Sequence, residues 1–191
     1  MKRTIIIKTS KSNHAMMYHF NALAWMIKAA STDATRENLY QTISVQDGIC
    51  YATDGHRLHI YSQDEELPVD AYLMDGLYEI KAVSKKQIIL IEKDTDADFP
   101  DVTPLLSYRH LNGIPPLTWD ARDDKDQNYG FFLHHLLGRV RWAFNERYLR
   151  EAYMSEETMY FEQGLRSAYY GTRPIIFGNE RRLAVIQPLN P

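Results

Sequence analysis

Apolar and polar positions change period several times along the chain, and each change marks an element. Residues 3–10, RTIIIKTS, form a short β-branched apolar run that predicts a strand. From residue 13 to residue 30 the spacing lengthens. Met16, Phe20, Leu23, Ala24 and Ile27 follow the i, i+3, i+4, i+7 rule of an amphipathic helix, with Ser12 or Asn13 placed to cap its start. Residues 39–62, LYQTISVQDGICYATDGHRLHIYS, then read as three short strands separated by Asp47-Gly48 and Asp54-Gly55. Asp-Gly favours a tight turn with positive φ at its central residues, whose twist suits antiparallel strands. The first third is therefore β-α-β-β-β.

Residues 77–94, LYEIKAVSKKQIILIEKD, predict a hairpin turning at Ser84-Lys85-Lys86. From Asp94 to Asn128 the pattern breaks into Pro, Asp and Gly, a connector of the length that is usually functional or mobile. Residues 139–154, RVRWAFNERYLREAYM, predict a short strand and then a helix with Tyr148, Leu149 and Tyr153 inward and Arg147 and Arg150 outward. TMYFEQ (158–163), RPIIFGN (173–179) and RLAVIQPL (182–189) read as strands, the last two joined through Gly178-Asn179-Glu180. The last third repeats the element order of the first without detectable identity to it.

Composition narrows the classes. With 191 residues, 45% hydrophobic and 25% charged, the chain has the make-up of a globular protein large enough to bury a core. No run approaches the roughly 18 apolar residues of a membrane-spanning helix, and IIIKTS is too short for a signal-peptide core, so the expected address is the cytoplasm. Cys50 is the one cysteine, which excludes an intrachain disulfide and a thiolate zinc cage. The net charge of −3 is unevenly spread: residues 1–30 hold five basic and no acidic residues, 31–130 nine basic and nineteen acidic, and 131–191 eight basic and six acidic. That asymmetry permits a basic face on an acidic protein, although solvated surface charge explains it equally well.

The chemical constellations are weak. Asp54 and His56 are candidates for an acid–base pair, yet Asp54-Gly55 serves as a turn without chemistry and no nucleophile has an evident place beside them. An odd separation in a strand sends His56 and His59 to opposite faces, and the adjacent His134 and His135 also diverge. DTDADF (94–99) begins like a calcium loop, but Phe99 stands where glycine is required and Leu105 where the closing glutamate should be. The nine glycines are scattered through turns and form no phosphate-binding loop. Neither a cofactor nor a metal is expected. The clustered cations are more telling: Lys2, Arg3, Lys8, Lys11 and Lys28 flank or sit on the first helix, and Arg139, Arg141, Arg147 and Arg150 flank or sit on the second. If the helices share a face, those nine residues would hold duplex DNA by its phosphates, without sequence preference.

The segment ATDGHRL (52–58) resembles one in the middle domain of the bacterial DNA polymerase III beta subunit, the sliding clamp. Residues 23–58, LAWMIKAASTDATRENLYQTISVQDGICYATDGHRL, look like that domain's first helix and three strands. FPDV (99–102) is similar to the segment that closes the domain; FNERYL (144–149) and AVIQPL (184–189) look like the second helix and last strand of the clamp's final domain. The resemblance is clear over roughly residues 18–62 and looser beyond. It implies an α+β DNA-clamp-like fold: two β-α-β-β-β halves with helices on one face and antiparallel sheets on the other. It also implies a non-enzymatic protein that encircles duplex DNA and offers a pocket to a short linear motif of a polymerase or other replication protein. Carried over residue by residue, that peptide-binding pocket comprises Thr53, Gly55, His56, Arg57, Leu58, Gln187, Pro188 and Leu189. Where the family ends Met-Pro-Met-Arg-Leu, this chain has Gln187, Pro188, Leu189 and Asn190, a polar side chain replacing a pocket methionine.

A clamp subunit has three such domains, and this chain is about half that length. It is expected to be one clamp-like domain, with half A at about 1–63, a hairpin and connector at about 64–129 and half B at about 130–191. The alternative is a middle-clamp-like domain at 1–106 followed by a half domain at 130–191. A ring would then need more than two copies, or would not form. Two other functions stay open: a divergent phage or mobile-element protein that binds a replication protein without encircling DNA, and a small His/Asp hydrolase or nuclease. Leu58 and the stems of His56 and Arg57 are expected to form a partly exposed apolar wall beside the Asp54-Gly55 turn, suited to a peptide with one or two large apolar anchors.

Overall fold

The computed structural model describes residues 2–31, 38–94, 99, 117–120, 144–153, 158–163, 174–179 and 181–189. The chain divides into two compact units, 1–99 and 100–191. Both are α+β, and all strand pairings within them are antiparallel.

Unit 1 opens with β1 (Thr4–Lys8) and α1 (His14–Ile27). Asn13 caps α1, its side chain accepting from the Met16 amide at 3.0 Å and so satisfying one of the helix's orphan donors. A short 3₁₀ turn, Asn38–Gln41, leads into β2 (Thr42–Gln46), β3 (Ile49–Thr53) and β4 (Arg57–Ser62). The hairpin β5 (Gly76–Val83) and β6 (Gln87–Lys93) completes the unit. Asp47 and Gly48 both take positive φ, 51° and 73°, as the Asp-Gly pattern predicts for the β2–β3 turn.

The sheet order is β1-β6-β5-β2-β3-β4. The β5–β6 hairpin thus lies between β1 and β2, and β1 pairs only with β6 among the described residues. The reason is burial: Ile5 and Ile7 of β1 and Ile88 and Leu90 of β6 alternate onto the same core as Leu23 and Met26 of α1. The buried stripe of α1 is rotated from the expected one. His19, Phe20, Ala22, Leu23, Trp25 and Met26 are buried, whereas Met16, Ala24 and Ile27 are half-exposed.

Unit 2 contains β7 (Leu117–Asp120), α2 (Glu146–Ala152), β8 (Thr158–Gln163), β9 (Ile175–Gly178) and β10 (Arg182–Ile186), in the sheet order β10-β9-β8-β7. The strand β7 falls inside the expected connector; its four residues are too few to show a period among the surrounding Pro and Asp. Asn145 caps α2 by accepting from the Arg147 amide at 3.0 Å. Leu149 and Ala152 are buried as the helix packs against β10, with Tyr148 and Tyr153 half-buried and Arg147 and Arg150 exposed. Asn179 shapes the β9–β10 turn: its Oδ1 accepts from the Arg181 and Arg182 amides at 3.0 and 2.8 Å. His134, His135, Arg139, Arg141, Asn190, most of the acidic run 94–99 and the strand expected before α2 lie outside the described residues.

Candidate functional site

The loop between β3 and β4 is built around Asp54. Its Oδ1 accepts from the backbone amides of His56 and Arg57 at 3.0 and 3.1 Å, and its Oδ2 meets Arg57 Nε at 3.1 Å. Thr53 Oγ1 donates to the Arg57 carbonyl at 2.5 Å and accepts from the Gly55 amide at 3.1 Å. Gly55 alone takes positive φ here, 86°, so the Asp54-Gly55 step is not the two-residue turn its sequence predicts. It is a wider loop braced by a side-chain carboxylate. Arg57 also reaches from this loop to α1, where its Nη2 donates to the Lys28 carbonyl. A guanidinium at the carboxyl end of a helix satisfies an orphan carbonyl and complements the negative end of the helix dipole.

These bonds change what the segment presents. Leu58 is 2% exposed and Arg57 5%, so neither forms the partly exposed wall expected from the sequence. Leu58 is a core side chain, and the charge of Arg57 is spent inward. Thr53 is likewise buried, leaving Gly55 and His56 on the surface of unit 1. In unit 2, Pro188 is buried, Gln187 is half-buried and Leu189 is 49% exposed. The Asp54 carboxylate faces its own loop amides and Arg57, an arrangement that accounts for its presence without an acid–base role.

Two further histidines lie beneath this loop. His59 stacks on Trp25 with ring centroids 4.3 Å apart and planes 14° apart. Its Nδ1 donates to the Trp25 carbonyl at 3.2 Å, which fixes the tautomer, and its buried Nε2 has no hydrogen-bond partner among the described residues. Burial, assisted by the nearby charges of Arg57 and Lys28, pulls His59 down to about 3. His19 Nδ1 lies 3.0 Å from the Tyr61 hydroxyl, and burial lowers this histidine to about 4. Both are neutral packing groups between α1 and β4. His59 is thereby separated from the exposed His56 by burial as well as by pleat. No group of three metal-ligating side chains occurs among the described residues. No helix among them is long and apolar enough to cross a membrane.

Among the described residues, the cations expected to hold DNA flank α1 and sit on α2. The helix α1 itself, HAMMYHFNALAWMI, contains no lysine or arginine; Lys28 is its cap. On α2, Arg147 pairs with Glu151 and Arg150 with Glu146, each at 2.9 Å, so the helix carries no net charge. Lys2, Arg3, Lys8 and Lys11 are exposed around β1.

No family model matches the chain, and no curated protein matches it. Solved structures do. The DNA polymerase sliding clamp from Pseudomonas aeruginosa is similar with a TM-score of 0.53 at 15% identity, over 100% of this chain and 67% of the clamp chain. The sliding clamp from Bacillus subtilis gives 0.53 at 15% identity over 99% of this chain and 64% of that one. The DNA polymerase III subunit beta from Pseudomonas aeruginosa gives 0.54 at 16% identity over 100% and 66%. The chain therefore spans about two thirds of the length of the clamps it resembles. Its α+β fold is clamp-like, and its sequence is only 15–16% identical to theirs.

Proposed function

We infer that this clamp-like chain is a non-enzymatic protein of DNA replication or repair, one that holds duplex DNA without sequence preference and engages a replication protein through a short peptide. The observation that supports this is the likeness to bacterial sliding clamps along the whole chain rather than over one motif. Recognition in unit 1 falls to the exposed Gly55 and His56, with Thr53, Arg57 and Leu58 supporting them from below. In unit 2 it falls to Gln187 and Leu189, supported by Pro188.

The test is retention of the full chain on a nicked circular plasmid and on the same plasmid linearised, at matched salt. Retention on the circle with loss from the linear form supports encirclement. Equal binding to both supports a DNA-binding protein that does not encircle. Absence of binding to either at low salt refutes the DNA reading and leaves a protein that binds only a replication partner.

A further inference from the structure

One corner of unit 1 gathers positive charge that neither helix carries. Backbone pairing brings the end of β1 beside the β5–β6 turn: Lys8 stands opposite Gln87 in the register, and the Thr9 amide donates to the Lys86 carbonyl at 3.1 Å. Directly opposed residues of an antiparallel pair have Cβ atoms about 4.5–5.5 Å apart, so Lys8 and the Lys85-Lys86 turn share one end of the sheet. Lys11 lies in the loop that follows β1.

The turn is held firmly. Ser84 Oγ accepts from the amides of Lys86 and Gln87 at 3.2 and 3.1 Å, and the Ser84 amide donates to the Gln87 carbonyl at 2.9 Å. Lys85 and Lys86 thus project from a fixed scaffold. Lys8, Lys11, Lys85 and Lys86 are all exposed, and none has an ion-pair or side-chain hydrogen-bond partner among the described residues. Their sequence neighbourhoods hold nothing to offset them: no Asp or Glu occurs in residues 1–32 or 80–91. Several other cations are engaged. Lys81 pairs with Glu79 at 2.6 Å, Arg57 is buried against Asp54, and the α2 arginines are in ion pairs.

We propose that Lys8, Lys11, Lys85 and Lys86 form a phosphate-binding corner that takes the phosphodiester backbone of duplex DNA. Lys85 and Lys86 belong to it only through strand pairing, since nearly eighty residues separate them from Lys8. The four lysines present charge alone, so binding through them is indifferent to sequence. This rests on the DNA-binding reading above and assigns the surface that performs it in unit 1.

The experiment is fluorescence anisotropy of a labelled random-sequence duplex with the full chain, titrated at several NaCl concentrations. Each phosphate neutralised contributes about 0.9 to the slope of log K against log salt. The quadruple variant K8Q/K11Q/K85Q/K86Q is therefore expected to bind with a slope shallower by about 3 to 4, and K85Q/K86Q alone by about 2. R147Q/R150Q, already in ion pairs, is expected to change the slope by less than about 1. A quadruple variant with the wild-type slope would overturn the corner while leaving the DNA reading intact. A wild-type chain that binds no duplex at low salt would overturn both. Competition by polyglutamate as effective, charge for charge, as by duplex would overturn the phosphate assignment in favour of an acidic protein partner.

Discussion

Removing the Asp54 carboxylate tests whether the loop between β3 and β4 is a structural clasp. In Asp54→Ala two backbone amides and the Arg57 Nε lose their acceptor, at a pair whose side chains are 3% and 11% exposed. Breaking a buried ion pair from one side costs about 3–5 kcal/mol, because the remaining charge is left desolvated. Asp54→Asn separates the two contributions. Its amide oxygen still accepts from the loop amides, while the charge opposite Arg57 is gone. Each neutral hydrogen bond has a net value of about 1 kcal/mol, so Asn is expected to recover about 1–2 kcal/mol of the alanine loss. Urea titration of the full chain gives the free energies, and hydrogen exchange of β3 and β4 peptides assigns the loss to unit 1. An alanine cost below about 1 kcal/mol would place the pair with ordinary exposed ion pairs and refute the clasp.

The two buried histidines give unit 1 an acid sensitivity of predictable sign. Both have folded values below 6.5, about 4 for His19 and about 3 for His59, so from about pH 6.5 down to about 4 the unfolded chain binds protons at both that the folded chain does not, and at His59 down to about 3. Stability is then fully present above pH 6.5 and falls, as pH drops, by up to about 1.4 kcal/mol per pH unit for each histidine; His59→Gln should halve the slope in urea titrations, and an unchanged slope would count against this account. In unit 2, a Cβ on Gly178 would collide with the Arg182 carbonyl oxygen across the β9–β10 turn. Gly178→Ala is expected to cost about 1–3 kcal/mol as backbone shifts to relieve the contact, read as a lowered thermal midpoint; an unchanged midpoint would show that the turn yields freely.

Local turn and cap chemistry made much of unit 1 legible. Asp47-Gly48 marks the β2–β3 turn, Ser84-Lys85-Lys86 the β5–β6 turn, and Ser12 or Asn13 the start of α1, because each acts on residues within four positions of itself. Pairing order was not legible, since β1 and β6 are both Ile-rich and nothing local says that they meet. The buried face of α1 departs from its aliphatic spacing because Tyr61 and His59 draw His19 and Trp25 into the core. The heptapeptide at 52–58 points to the right fold, while the burial of its Arg57 and Leu58 is not legible in it. An arginine and a leucine beside a glycine turn look like a recognition surface until Asp54 and Lys28 draw the arginine inward. In the sequence Lys85 and Lys86 are simply turn residues, and their company with Lys8 emerges from register.

The pairing of β1 with β6 sets an order of events during synthesis. The first strand of the unit waits for the last, so among the described residues Ile5 and Ile7 have no sheet neighbour until residue 93 is available. A nascent chain ending at Ser62 already has the complete β-α-β-β-β succession, yet its opening strand has nothing to pair with. Long-range closure of this kind slows folding and leaves an apolar edge open to other chains in the interval. The hairpin that looks like an appendage in the sequence is thus the step that seals the unit. Fragments designed from the element order alone would be cut on the wrong side of it.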